Sequence, residues 1–211
     1  MGYLGRLKES VMQRSREAKL ADFYGYCPAE CDVLDVGVSN NDHSPQVNLF
    51  LKAFRYSDRR YTGLAVESMD AVARQHPGKR FVLYDGNIFP FRDREFDFVF
   101  SNAVIEHVGG EEAQLRFINE MLRTGKRVFF TTPSKFFPVE SHTNALFIHW
   151  WPRYFHSWCR RNSPYWTETN LRLLSHSDLQ GMMARSDAKS FTIKRNRTLG
   201  LTMTFTVVCQ N

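Results

Sequence analysis

Asp32-Val33-Leu34-Asp35-Val36-Gly37, followed by the polar run Val38-Ser39-Asn40-Asn41-Asp42-His43-Ser44-Pro45, decides the fold. An apolar run stopped by a glycine and a polar turn is the pattern of a buried parallel strand, and a helix from about 46 to 54 is expected behind its loop. Tyr61–Val66 repeats the pattern, with a helix at about 69–75. Phe81–Tyr84 closes on Asp85-Gly86-Asn87, Phe96–Ser101 precedes a helical stretch over 111–122, and Arg127–Thr132 ends at Pro133. Strand and helix in steady alternation predict an α/β sandwich around a mainly parallel sheet. Two further runs, Ser190–Lys194 and Leu201–Val208, are joined by a short loop containing Gly200, and the second alternates apolar residues with Thr. That alternation fits an antiparallel strand.

Two segments lie outside the rhythm. Leu4, Leu7, Val11, Leu20 and Phe23, set among Arg, Lys and Glu, predict an amphipathic basic helix over about 5–23, ending before the Tyr24–Pro28 turn. Residues 134–175 are rich in aromatics and His and read as an insert over the strand ends.

A chain of 211 residues with 43% hydrophobic and 24% charged content is a soluble, single-domain composition over 1–211, large enough to bury a core without disulfides. The densest apolar run, Ala145–Trp151, is too short to span a membrane, and the N-terminus lacks the long apolar core of a signal peptide. The expected location is the cytoplasm. A net charge of +6 suits an anionic partner: nucleic acid, a lipid headgroup surface or a phosphorylated substrate. Cys27, Cys31, Cys159 and Cys209 form no C-x-x-C pair, so reduced thiols and no metal site are expected.

In an open parallel sheet, ligands bind at the carboxyl ends of the strands where strand order reverses. Those ends carry Asp35, Glu67 and Asp85, and no phosphate-gripping group. A dinucleotide site needs a glycine-rich loop free of negative charge, whereas this loop has one glycine, Gly37, with Asp35 and Asp42. A Walker loop is missing too. The cofactor indicated is a nucleoside with a cationic or zwitterionic tail.

With Val33–Gly37, Phe81–Phe91, Phe96–Val108 and Thr131–Thr143 in this order, the chain resembles the class I S-adenosylmethionine-dependent methyltransferases, specifically the methyltransferase type 11 group. The likeness covers roughly residues 30–210. It implies a Rossmann-like three-layer sandwich, a seven-stranded sheet with an antiparallel last strand, and S-adenosyl-L-methionine as cofactor. Carried over by position, Asp35 acts near the methionine ammonium, Gly37 lets the backbone approach, and Asp85, with Gly86 and Asn87, faces adenine. Phe89 and Phe91 could flank adenine, although a buried aromatic is the preferred reading of both. The chain departs from the family in two places. Val38, Ser39, Asn40 and Asn41 replace further glycines, leaving Ser39 to offer a small side chain and its N–H. The ribose carboxylate aligns near Ala65, while Glu67, on the same strand face, could reach the hydroxyls.

Residues Asn102 through His107 and Pro133 through Thr143 are expected to face the transferred methyl. His142, with Glu140 close by, is the first candidate base and His107 the second; a hydrogen-bonded structural imidazole is the competing reading of each. The end of the fourth strand, Ser101-Asn102-Ala103-Val104, lacks the signature of nucleobase amino methylation, and no Pro-Cys pair serves attack on a pyrimidine. Nucleic acid is therefore disfavoured, and a small-molecule, sugar or lipid-linked acceptor methylated on oxygen is preferred. Ala145–Arg161 mixes aromatics and arginines, which suits either a cap over the site mouth or peripheral contact at the inner membrane face. The cap is preferred, because Pro152 interrupts any long helix. Trp150 and Trp151 would then touch the acceptor. A catalytically silent interaction module stands as the alternative function.

Overall fold

The computed structural model describes residues 3–27, 29–41 and 47–211, with the side chains of 3–9 excepted. Pro28, the 42–46 stretch with Asp42, and the side chains of Leu4 and Leu7 lie outside the described residues. Elements run in the order α1 (Tyr3–Tyr26), β1 (Val33–Val36), α2 (Leu49–Lys52), β2 (Tyr61–Ala65), α3 (Asp70–Gln75), β3 (Arg80–Leu83), β4 (Phe96–Asn102), α4 (Glu111–Thr124) and β5 (Gly125–Pro133). α5 (Pro152–Asn162), α6 (His176–Arg185), β6 (Ser190–Thr198) and β7 (Leu201–Gln210) complete the chain. One seven-stranded sheet has the order β3-β2-β1-β4-β5-β7-β6. β1 is parallel to β2 and β4, with Asp35 opposite Gly63 and Phe100, while β7 runs antiparallel to both β5 and β6.

Strand alternation sorts the core into two layers. Leu34, Val99, Val128 and Phe130 point to one face, packed by α4 and α6 through Ile118, Met121, Leu179 and Met183. Val33, Phe98, Phe100 and Phe129 point to the other, packed by α1 and α2 through Phe23, Tyr24, Phe50 and Leu51. α6 opens on a reciprocal cap between Ser175 and Asp178.

Several boundaries differ from the sequence expectation, each for a tertiary reason. α1 continues through Tyr24-Gly25-Tyr26, because the Tyr24 hydroxyl donates to Ala53 O at 3.0 Å and accepts from Arg55 N at 3.0 Å, holding the last turn down. α2 is confined to Leu49–Lys52, preceded by Asn48 in the left-handed region at φ 53°. In the insert, Pro152 opens α5 at its first turn, where a missing N–H costs nothing. Phe155, Cys159, Leu171 and Ala145 form a small core of their own there.

Phe23 is fully buried and meets Phe50, Phe98, Phe100 and Phe129 edge-on at ring separations of 4.9–5.6 Å. Phe23→Ala is expected to cost about 3–5 kcal/mol in urea unfolding, from lost burial plus the cavity left behind. A loss below about 1 kcal/mol would mean that α1 is not docked on the sheet in solution.

Candidate active site

Strand order reverses at β1, which has β2 on one side and β4 on the other, so their carboxyl ends open a crevice. Asp35 enters it from the α1 face of the sheet, 7% exposed, and accepts a hydrogen bond from the Tyr61 hydroxyl at 2.5 Å. Burial pushes its carboxyl up to about 7 despite that bond. Gly37 follows at φ +96°, with its N–H donated to Leu64 O at 2.8 Å. A Cβ at this position would lie 2.3 Å from Val104 Cγ2, so the glycine answers both to its backbone conformation and to the loop beyond β4. Ser39 donates its N–H to Asn48 Oδ1 at 2.9 Å, and Asn48 Nδ2 returns a bond to Ser39 O at 2.8 Å. The Ser39 hydroxyl accepts from Asn41 N at 3.1 Å. Its polar groups therefore tie the start of the loop, among the described residues, to Asn41 and Asn48.

The second rim lies at β2 and β3, joined by a hydrogen bond from Tyr84 N to Ala65 O at 3.0 Å. Glu67 is exposed just past β2. Asp85 is exposed past β3 and accepts from Asn87 N at 2.9 Å and Ile88 N at 3.3 Å, bonds that hold its carboxyl below the usual range. Gly86, at φ +86°, lies against Val66. Phe89 and Phe91 are core residues, as the preferred reading had them. The residues that sequence reasoning passed over are apolar and exposed: Val66, Leu83 and Ile88 stand 57–68% open on this rim.

α1 covers the crevice. A cavity of about 80 Å³ is bounded by Asp35, Gly37, Asn102, Phe50, Arg16 and Lys19. Lys19 is 7% exposed, and burial first, then Arg16, lowers it to about 8 against the opposing pull of Glu106. Arg16, Lys19 and Asn102 also belong to a second, mainly apolar cavity of about 370 Å³, walled by Met12 on α1 and by Phe137, Val139 and His149 of the insert. Ala103, at φ +58°, lies on its floor beside Asn102, whose Oδ1 accepts from Thr131 Oγ1 at 2.7 Å. Lys19 and Arg16 escaped the sequence reading because a helix pattern does not say which strand ends the helix will cover. Trp150 and Trp151 lie outside the lining of this cavity, and Trp151 is 55% exposed.

His142 and His107 come together one layer behind the wall that Thr132, Glu140 and Ser141 form, with ring centroids 4.8 Å apart. His142 Nδ1 bonds Glu140 Oε1 at 2.6 Å, and His107 Nδ1 bonds Asn170 O at 2.9 Å. Glu140 also accepts from His142 N, Thr143 N and Thr143 Oγ1. Burial alone would raise its carboxyl, yet these donors hold it at about 2. Glu106, fully buried with its Oε1 4.0 Å from His107 Nε2, was not singled out by sequence reading. Burial raises it, and one oxygen accepts from Thr132 Oγ1 at 3.0 Å.

The chain belongs to the methyltransferase-domain family, whose model matches residues 10–186. No curated protein matches it. Among solved structures it is similar to an S-adenosylmethionine-dependent methyltransferase of Methanosarcina mazei, at 18% identity and TM-score 0.57 over 86% of this chain and 92% of that one. It is similar to the 1,6-didemethyltoxoflavin-N1-methyltransferase of Burkholderia thailandensis, solved with its acceptor and S-adenosylhomocysteine, at 13% identity and TM-score 0.60 over 93% and 77%. The magnesium protoporphyrin IX methyltransferase of Synechocystis, with S-adenosylhomocysteine bound, gives 9% and 0.61 over 100% and 89%. At such identities the likeness establishes the class I methyltransferase fold. Among the described residues, no helix is long and apolar enough to cross a membrane.

Gly37→Ala is expected to destabilise the protein by about 1–3 kcal/mol in urea unfolding, from backbone strain and the contact with Val104. Placing it in a Val104→Ala background should recover the steric part only. A cost below about 0.5 kcal/mol would show that the β1 loop is not held as described.

Proposed function

We propose that this protein transfers a methyl group from S-adenosylmethionine to an oxygen of a small acceptor with an apolar body, free or linked to a sugar or lipid. The observation that carries the reading is the charge set lining the 80 Å³ cavity: one buried carboxylate, Asp35, and two cationic side chains, Lys19 and Arg16. That is the complement of an amino-acid zwitterion, with ammonium toward Asp35 and carboxylate toward Lys19 and Arg16. The exposed apolar rim of Val66, Leu83 and Ile88 offers a surface for a flat base, with Glu67 beside it for ribose hydroxyls. Asp85, Gly86 and Asn87 form the turn that meets the base edge. Ser39 contributes by fixing the loop, and Gly37 by leaving its backbone open.

When bound, the cofactor supplies a methyl on a sulfonium, whose departure leaves an uncharged thioether. The chain's own task is mostly alignment. Asn102 stands at the junction of the two cavities, so it borders both the zwitterion and the acceptor. The larger cavity admits an acceptor whose body packs on Met12, Phe137 and Val139. α1 forms one side of this cavity and the insert another. We assign the handling of the acceptor's proton to the His142 and His107 cluster behind the Thr132–Glu140 wall.

Calorimetric titration with S-adenosylhomocysteine tests the cofactor site. Asp35→Asn is expected to weaken binding about 10–100-fold, the worth of a charge-assisted hydrogen bond. Asp35 must be ionised to hold an ammonium and titrates at about 7, while Lys19 must be protonated to hold a carboxylate and titrates at about 8. Affinity is therefore expected to climb as pH rises toward 7 and to decline above 8, with the lower limb absent in Asp35→Asn. Failure of the folded wild type to bind at any pH would overturn the cofactor assignment.

A further inference from the structure

Glu106, His107 and His142 each present one potential ligand atom, and these atoms lie within 4.8 Å of one another. Three further observations separate this group from a chance cluster of polar residues. First, each imidazole has its Nδ1 already committed. His107 Nδ1 faces the Asn170 carbonyl at 2.9 Å, and a carbonyl can only accept, so Nδ1 carries the proton and Nε2 keeps its lone pair. His142 Nδ1 faces a Glu140 carboxylate oxygen at 2.6 Å, which fixes the same tautomer. Second, Glu106 is 0% exposed and its Oε2 is held by Thr132, yet its Oε1 has no hydrogen-bond partner. A buried carboxylate oxygen without a partner is costly. Third, that orphaned oxygen lies 4.0 Å from His107 Nε2, beyond hydrogen-bond distance, so the imidazole does not satisfy it.

We propose that Glu106 Oε1, His107 Nε2 and His142 Nε2 bind one divalent first-row transition cation. Two imidazoles and one carboxylate suit zinc, manganese or cobalt rather than magnesium or calcium, which take oxygen ligands. A cation about 2.1 Å from each atom needs ligand atoms about 3.4 Å apart, so the three side chains must close by roughly 1 Å or less each. The outer shell is in place before any cation arrives. Glu140, Asn170 and Thr132 orient His142, His107 and Glu106 in turn, as second partners do in metal sites. Three protein ligands leave at least one position open. Thr132 and Glu140 also belong to the wall of the acceptor cavity, so the cation sits one side chain from the acceptor; with both Nε2 atoms on the cation, a hydroxide in its open position, becoming water, takes the acceptor's proton in place of the imidazoles. The role given to the cation rests on the methyl-transfer reading; its binding does not.

Full-length protein stripped with EDTA is titrated with Co²⁺ without cofactor or acceptor, followed by visible d–d absorption. Saturation at one equivalent, displaced by Zn²⁺, is expected. Glu106→Gln, His107→Ala and His142→Ala should each weaken Co²⁺ binding at least 10–100-fold. Thr132→Val, which leaves all three ligands in place, should weaken it less. Thermal unfolding without metal confirms that each variant folds, and a Zn²⁺-induced rise in midpoint in the wild type but not in His142→Ala provides a second readout. Absence of d–d bands overturns the site. So do bands unchanged in all three ligand variants, and thiolate charge-transfer bands, which would place the metal at Cys27 and Cys31. S-adenosylhomocysteine titrated in EDTA separates the two readings: cofactor binding without Co²⁺ binding removes the cation, and the reverse removes methyl transfer.

Discussion

Phe23 sits edge-on to four other rings on the sheet face, and this contact fixes where α1 lies. Lys19, Arg16 and Met12 precede it at intervals of four, three and four residues, one face of a helix. Once Phe23 is seated, those three side chains must reach over the carboxyl ends of β1 and β4. Both cavities exist because of that lid. The strand ends alone would form an open shelf holding a carboxylate and some loops. With α1 docked, the shelf becomes a small charged chamber joined to a larger apolar one.

The electrostatics follow from the same closure. Asp35 is buried beneath α1, and removing it from water raises its proton affinity toward neutrality. Lys19 is buried by the same act, and its ammonium loses proton affinity. The two groups line one cavity, and burial leaves the ordinary charge state of each only weakly favoured. A zwitterion restores both at once, because each of its ends supplies the counter-charge that burial removed. The same logic disfavours a polyphosphate, which would satisfy Lys19 and Arg16 but lie against the Asp35 carboxylate.

The five parallel strands were legible in sequence because each is a short apolar run with a sharp end, and a strand buried on both faces leaves no other reading for Val33–Val36 or Phe96–Ser101. The exposed, polar β6, by contrast, runs four residues past its expected end at Lys194. The ends of the strands were legible too, so Asp35, Gly37, Glu67 and Asp85 were all found at the crevice or its rim. What escaped was whatever depends on contacts distant in sequence. Tyr24 extends α1 because of Ala53 and Arg55, and Asn48 shortens α2 because its side chain turns back to Ser39. Glu106 drew no notice as a buried acid in an apolar run, since its significance comes from His142 on another loop. The exposed Val66, Leu83 and Ile88 were hidden by the opposite habit, that of assigning apolar residues to the core.

One loop ties these parts together. Ala103, immediately after β4, holds a positive φ that costs a non-glycine residue about 1 kcal/mol or more. Its N–H bonds Thr131 O at 2.9 Å, and Val104 then packs where a side chain at Gly37 would have to go. Two residues further on, the short helical turn Ile105–His107 delivers Glu106 and His107 to His142. Thus the backbone that leaves the floor of the acceptor cavity first braces the β1 loop and then places the carboxylate and imidazole. Changing the turn at Ala103 would move the zwitterion chamber and the Glu106–His107–His142 group together.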